Sequence, residues 1–326
     1  MQTTFTELTS TRANPHIDPS LHVWGWEVPV YLFLGGLAAG LLILSAWATL
    51  RRRQDEYRAS SSWMPVLIVP LLIVGLTALF LDLEYKLHVF RFYTTFQLTA
   101  PMSWGSWILL VVFATSGLTA VRALYTQPWF TGLAIADLRL LRALSELALR
   151  HERTLARANL GLGIALGIYT GILLSAFSAR PLWNSSLLGV LFLVSGLSSG
   201  AALGALFAAR NDTNTEHDFL VRLDLVAIVL ELAVIGLWLL GLGTGGEAGR
   251  EAAHLVLGGP YTAAFWSLVV FVGLLVPAVL EVMSLGGRWR THAVAPVLVL
   301  VGGIALRFII VGAGQVSETA PSLGIG

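Results

Sequence analysis

The 326-residue chain is 56% hydrophobic and 12% charged, with a mean hydropathy of +0.77 and a formal net charge of +1. That composition belongs to an integral membrane protein, not a soluble domain, and the near-zero charge points away from a nucleic-acid partner. Zero cysteines exclude disulfides, thiolate metal sites and cysteine-held iron–sulfur clusters within the chain, so any such cluster has to sit on a partner.

The opening residues, MQTTFTELTSTRANPHIDPSLHVW, hold no basic stretch followed by an apolar one. No cleavable leader is therefore expected, and the first spanning helix directs its own insertion. Apolar runs of about 18 or more residues, the length a ~30 Å hydrocarbon core demands, predict an all-α membrane protein. Eight transmembrane helices are expected, at 28–50, 63–81, 104–121, 160–177, 185–209, 225–242, 261–285 and 293–312. The last three carry Glu231, Glu281 and Arg307, so length as well as hydropathy supports them. The expected organisation is an N-terminal segment 1–27, a first four-helix unit 28–177, a second unit 182–312 and a polar, glycine-rich tail 313–326.

Inside the first unit the connection 126–157 places Ile135, Leu138, Leu141 and Leu144 at helical spacing opposite Arg139, Arg142 and Glu146. This predicts an amphipathic helix, either lying on the membrane surface or solvated. Eight spans put both termini on one side. Fourteen of the twenty Lys and Arg residues fall in the connections after helices one, three, five and seven, while the other side holds Arg12, Lys86, Arg91, Arg180 and Arg250. Basic connections stay cytoplasmic. Both termini are therefore expected in the periplasm of a bacterium, with the spans in its inner membrane.

Weak internal symmetry accompanies these spans. FLGGLAAG in the first helix aligns with LVSGLSSG in the fifth, pairing Gly36 with Gly196 and Gly40 with Gly200. Trp107 of PMSWGSW pairs with Trp266, and GIALG from Gly163 pairs with GIALR from Gly303. The chain reads as two tandem four-helix bundles, a parallel repeat about an axis along the membrane normal. Chance likeness between apolar helices is the competing explanation. The small-residue runs permit close helix approach in lipid and require no further role. Positions matching Glu27, Tyr31 and Tyr169 are Leu187, Leu191 and Ile309 in the other half, and Arg307 stands where the first half has a glycine.

Ionisable groups inside a bilayer are costly unless paired or hydrated, so each is a candidate for function. Glu27 lies at the outer mouth of the first helix, with Tyr31 about 6 Å deeper on the same face. Asp82 and Glu84 crowd the outer end of the second helix, Tyr169 lies in the outer half of the fourth, and Arg307 is expected to converge with them. An acid, one or two tyrosines and a buried arginine in an apolar pocket suit a quinone, whose carbonyls accept hydrogen bonds and whose reduction needs protons. Each candidate also has a plain structural explanation: Glu27 as a water-facing interfacial carboxylate, Tyr31 as part of an aromatic belt, Tyr169 as a satisfied core residue. Glu231 and Arg307 are either a structural ion pair or, with Asp224 and Glu281, a proton path. The seven histidines lie outside the apolar cores, so no haem or metal is expected on this chain.

The segments WGWEVPVYLFLGGLAAG, EYKLHVFRFY, FQLTAPMSWGSWIL and LGIYTGILLSAFSARPLWNSSLLGVLFLVSGLSSGAA resemble the NrfD/PsrC family of polytopic membrane subunits over nearly the whole chain. The resemblance implies a quinone-interacting subunit working with a periplasmic ferredoxin-like iron–sulfur protein. It also implies a molybdopterin catalytic subunit or a multihaem cytochrome further along the path of electron transfer. The quinone, menaquinone or ubiquinone, would sit against Glu27, Tyr31 and Tyr169, with Trp183 and Asn184 on the same side. Some relatives have a histidine where this sequence has Tyr31, which would shift proton handling to Glu27, Asp82 or Glu84. A secondary transporter or ion-translocating module, motivated by the repeat and the buried charges, and a purely structural anchor are the alternatives.

Overall fold

The computed structural model describes residues 24–52, 54, 56–83, 86–94, 97, 101–210, 214–286 and 293–317. Among them the main helices are α1 (Glu27–Leu50), α2 (Ala59–Asp82), α3 (Pro101–Leu124), α4 (Arg139–Arg150) and α5 (Glu152–Ser175). They continue as α6 (Leu187–Arg210), α7 (Asn214–Thr244), α8 (Glu247–Leu257), α9 (Thr262–Leu285) and α10 (Val294–Val316). All but α4 and α8 are long and apolar enough to cross a membrane, giving the eight spans expected. In hydrocarbon each backbone N–H and C=O has to be paired inside its own segment, which is why these runs are helical and why the protein is a polytopic membrane protein.

The boundaries move where polarity masks a helix. α7 begins eleven residues before the apolar run at 225, because the helix carries Glu216, Arg222 and Asp224 along its first turns. α5 likewise starts at Glu152 instead of 160. The amphipathic helix is present but shorter than its pattern: Leu138 is extended (ψ 122°) and Ile135 sits in a 3-10 turn, so the apolar stripe breaks before α4 begins. Ile135 and Leu138 are exposed, whereas Leu141 and Leu144 are half-buried against the bundle.

Two stretches widen to π-helical turns, Ala59–Trp63 in α2 and Phe265–Leu275 in α9. Each runs up to a proline, Pro65 or Pro277, whose missing N–H and ring deny the preceding turn its regular hydrogen bond.

α1 is the axis of the molecule. In its most apolar stretch 83% of residues are buried, against 28% for α3, and it packs on α2, α5, α6 and α10. Its contact with α6 is made backbone to backbone: a Cβ on Gly40 would lie 2.2 Å from the Gly196 carbonyl oxygen, and one on Gly196 would lie 2.6 Å from that of Gly36. The glycine runs aligned in the sequence therefore meet in space, the close approach that small residues allow in lipid.

The two ends of the bundle's chain meet on one face. The Trp24 N–H donates to Gln315 Oε1 (2.9 Å), and the Gln315 amide donates back to the Trp24 carbonyl (3.0 Å). The α5–α6 loop joins them, through Arg180 Nη1 to the Ser317 carbonyl (2.9 Å) and Trp183 Nε1 to the Ile310 carbonyl (2.8 Å). This end is the N-face. At the opposite face Glu216 of α7, fully buried, accepts from the Ala59 N–H (2.9 Å), the Ser60 N–H (2.7 Å) and the Ser60 hydroxyl (2.8 Å), capping α2.

Candidate functional site: an apolar cavity at the N-face

Helices α1, α2, α3 and α5 enclose a cavity of about 470 Å³. Its wall is mainly apolar, with Val28, Leu76, Leu109, Phe113 and Leu173 among the lining side chains. Set into that wall are Tyr31 and Asp82, with Tyr169 from α5 and Thr77 and Ser106 from α2 and α3. Tyr31 is 3% and Tyr169 7% exposed, so both phenols are presented to an interior space and not to bulk water. Tyr31 lies within electrostatic reach of Tyr169 and of Tyr93, which the short helix Arg91–Thr94 brings to the rim.

Glycine positions the tyrosine of the fourth span. A Cβ on Gly105 of α3 would lie 2.0 Å from both Cζ and Oη of Tyr169, so the phenol reaches α3 only because no side chain stands there. On the opposite wall α2 approaches α1 at Gly75, whose Cβ would sit 3.7 Å from the Tyr31 ring.

The predicted site residues divide. Tyr31, Tyr169 and Asp82 line the cavity together, whereas Glu27, half-buried, does not line it but lies close enough to Asp82 to influence its charge. Glu84 lies outside the described residues. Trp183 stands behind the rim: its ring stacks on Trp24 (centroids 5.1 Å apart), and Trp24 lines the cavity. Asn184 is exposed and does not line it.

Arg307, expected among the tyrosines, does not line the cavity either. It lies across α1 from it, where the bare backbone of Gly36 leaves room; a Cβ there would come within 3.2 Å of Arg307 Nη2. Its donors are taken locally, by Ser195 Oγ (2.5 Å), the Gly303 carbonyl (3.1 Å) and the Phe192 carbonyl (3.2 Å), with the guanidinium over the Phe192 ring at 4.8 Å.

Arg307 is instead one end of a second polar cluster, among α6, α7, α9 and α10. Ser195 hydrogen-bonds Glu231, Ser198 Oγ donates to Asp224 Oδ1 (2.5 Å), and Asp224 hydrogen-bonds Glu281. All four ionisable groups are at most 3% exposed. In the sequence Ser195 and Ser198 read only as small packing residues. Their place in a span rich in buried carboxylate partners is visible only once the helices are packed.

Residues 14–318 match the family described as polysulphide reductase, NrfD. The chain belongs to the NrfD family. It is 33% identical to protein NrfD of Escherichia coli over 320 residues, covering 90% of this sequence and 96% of the relative. It is 32% identical to a polypeptide of the polysulfide reductase of Wolinella succinogenes, covering 90% and 94%. A tetrathionate reductase subunit of Salmonella typhimurium is 27% identical over 74% of this sequence and 65% of its own length. The NrfD-family chain thus shares nearly its full span with an oxidoreductase subunit, and the cavity between α1, α2, α3 and α5 is its candidate site.

Proposed function

We propose that this chain is the membrane anchor and quinone-reactive subunit of a periplasm-facing respiratory reductase. It exchanges electrons between the quinone pool and an iron–sulfur partner subunit docked on the N-face. The observation that carries this is the convergence of Tyr31, Tyr169 and Asp82 on one apolar cavity, within a family whose members include polysulfide and tetrathionate reductase subunits.

The residues present fit a quinone. A volume of about 470 Å³ lies within the usual range for small-molecule sites, the wall suits a ring and an isoprenoid stem, and two phenols stand where carbonyl oxygens need donors. A bound quinone supplies two-electron, two-proton redox chemistry. Tyr31 and Tyr169 would donate their hydroxyl hydrogens to its carbonyl oxygens and so hold its plane between α1 and α5. Asp82, at the rim, would take up or release protons, and Glu27 beside it tunes that exchange by charge. The apolar wall excludes bulk water, which strengthens each of these polar contacts.

The assignment of sides follows the charge pattern: the N-face, with both termini, is periplasmic, and the spans are arranged as two tandem four-helix units in a bacterial inner membrane. The partner set is a ferredoxin-like iron–sulfur protein and, beyond it, a molybdopterin catalytic subunit or multihaem cytochrome. The second unit favours an added role in proton translocation. Asp224 and Glu281 are buried carboxyl groups that face each other, and Asp224 Oδ2 and Glu281 Oε2 have no partner among the described residues.

The test is quinone-analogue turnover by the intact membrane complex carrying Tyr169→Phe, compared with the unmodified complex at equal assembly. A loss of ten-fold or more with subunits intact supports the site. Unchanged turnover removes the quinone from α5 and leaves only a structural anchor.

A further inference from the structure

Trp24 lines the N-face cavity although it stands outside every helix, three residues before α1 begins. With Val28 and Tyr31 it follows the i, i+4, i+7 spacing of one helix face, and so carries the α1 wall of the cavity up to the N-face. Val28 and Tyr31 owe their places to the helix itself. Trp24 does not: the backbone bond that opens α1 runs from the Val30 N–H to the Trp26 carbonyl, so the N–H and carbonyl of Trp24 need partners from elsewhere.

Gln315 of α10 supplies both. A glutamine amide carries an acceptor and a donor side by side, and here Oε1 accepts from the Trp24 N–H (2.9 Å) while Nε2 donates to the Trp24 carbonyl (3.0 Å). One side chain thus satisfies a whole residue of backbone, as a neighbouring strand would. Gln315 is 8% exposed, so water competes poorly for either bond.

The indole ring is held by the same helix at one remove. It stacks on Trp183 (centroids 5.1 Å apart, planes at 28°) and meets Phe177 edge-on at 5.2 Å. Trp183 in turn rests on α10: its Nε1 donates to the Ile310 carbonyl (2.8 Å), and a Cβ on Gly314 would overlap its ring. Yet α10 lines no part of the cavity.

We propose that Gln315 is a positioning residue for the N-face cavity: through Trp24 it sets the wall nearest the N-face, so that the site formed by α1, α2, α3 and α5 is completed by α10. It rests on that cavity being the quinone site. A planar, apolar ring binds a fixed wall with less loss of freedom than a mobile one. Without the amide, Trp24 keeps its stacking partners but its backbone is free to swing, and the bound ring loses that wall. Tyr31 and Tyr169, set by α1 and α5, keep their places. Binding therefore weakens while the chemistry of the bound ring does not.

The experiment is steady-state turnover of a short-chain naphthoquinone analogue by the complete membrane complex. Gln315→Met keeps length and bulk and removes both donor and acceptor; Gln315→Glu keeps the acceptor and loses the donor. Gln315→Met is expected to raise KM for the analogue by about five-fold or more with kcat within about two-fold, the pattern of lost uniform binding, and Gln315→Glu to fall between it and the unmodified complex. Trp24→Ala is expected to match Gln315→Met, and combining the two should change KM by less than about two-fold beyond Trp24→Ala alone, since both act through one ring. An unchanged KM in Gln315→Met overturns the proposal; where that variant fails to assemble, an unchanged KM in Gln315→Glu does so. Effects that multiply in the double variant also overturn it, because Gln315 then acts by a route other than Trp24. A lower kcat at unchanged KM marks general loosening of the bundle and overturns it too. Failure of the quinone site itself is distinguished by absent analogue binding in the unmodified complex together with unchanged turnover in Tyr169→Phe.

Discussion

Gly105→Ala tests the cavity by adding atoms instead of removing them. The new methyl would lie 2.0 Å from Tyr169 Cζ and Oη, whereas ordinary contact begins near 3.4 Å, so the phenol has to retreat by about 1.4 Å. The backbone of α3 is held in a span and yields less readily than a side chain, so the tyrosine moves. It moves into the cavity or along α5, in either case carrying its donor away from the carbonyl it is meant to meet. Misplacing a reacting or orienting group by about 1 Å costs on the order of 100-fold in rate. Turnover of a quinone analogue in the assembled complex is therefore expected to fall between about ten- and one hundred-fold, with subunit assembly unchanged. The effect should vanish in a Tyr169→Ala background, where the clash no longer exists; Tyr169→Phe would not relieve it, because Cζ remains. Turnover within two-fold of normal in the single variant would refute the positioning role assigned to Tyr169.

Glu216→Ala should cost about 2–4 kcal/mol of stability, read as a lower unfolding midpoint in detergent, because two buried backbone donors and the Ser60 hydroxyl lose their acceptor together. Gly40→Ala is expected to destabilise by about 1–3 kcal/mol, read by the same melt, since its methyl would sit 2.2 Å from the Gly196 carbonyl and force α1 and α6 apart. Asp224→Asn preserves size and can still accept from Ser198, but removes the titratable carboxyl group that faces Glu281. It should leave quinone-analogue turnover in detergent within about two-fold while abolishing any proton transport through the second unit in proteoliposomes, measured by dye acidification.

Membrane class, the number of spans and the glycine runs that bring α1 and α6 into contact all follow from composition and spacing, because a bilayer demands about twenty apolar residues per crossing and small residues where helices touch. Tyr31, Tyr169 and Asp82, singled out by residue type and depth, line one cavity. Arg307 does not join them, and nothing in the sequence marks Glu216. The cause is physical. A helix between water and a core announces its inward face by polarity, as α4 does with its arginines. A helix in lipid is apolar toward its neighbours and toward the acyl chains alike, so periodicity does not reveal which way a residue points. Depth along the membrane can be counted at about 1.5 Å per residue, and this puts Arg307 in the N-face half of its helix, as it does the tyrosines. Only packing decided that Gly36 turns its bare backbone to Arg307 while Tyr31, five residues earlier on the same helix, turns to the cavity on the other side.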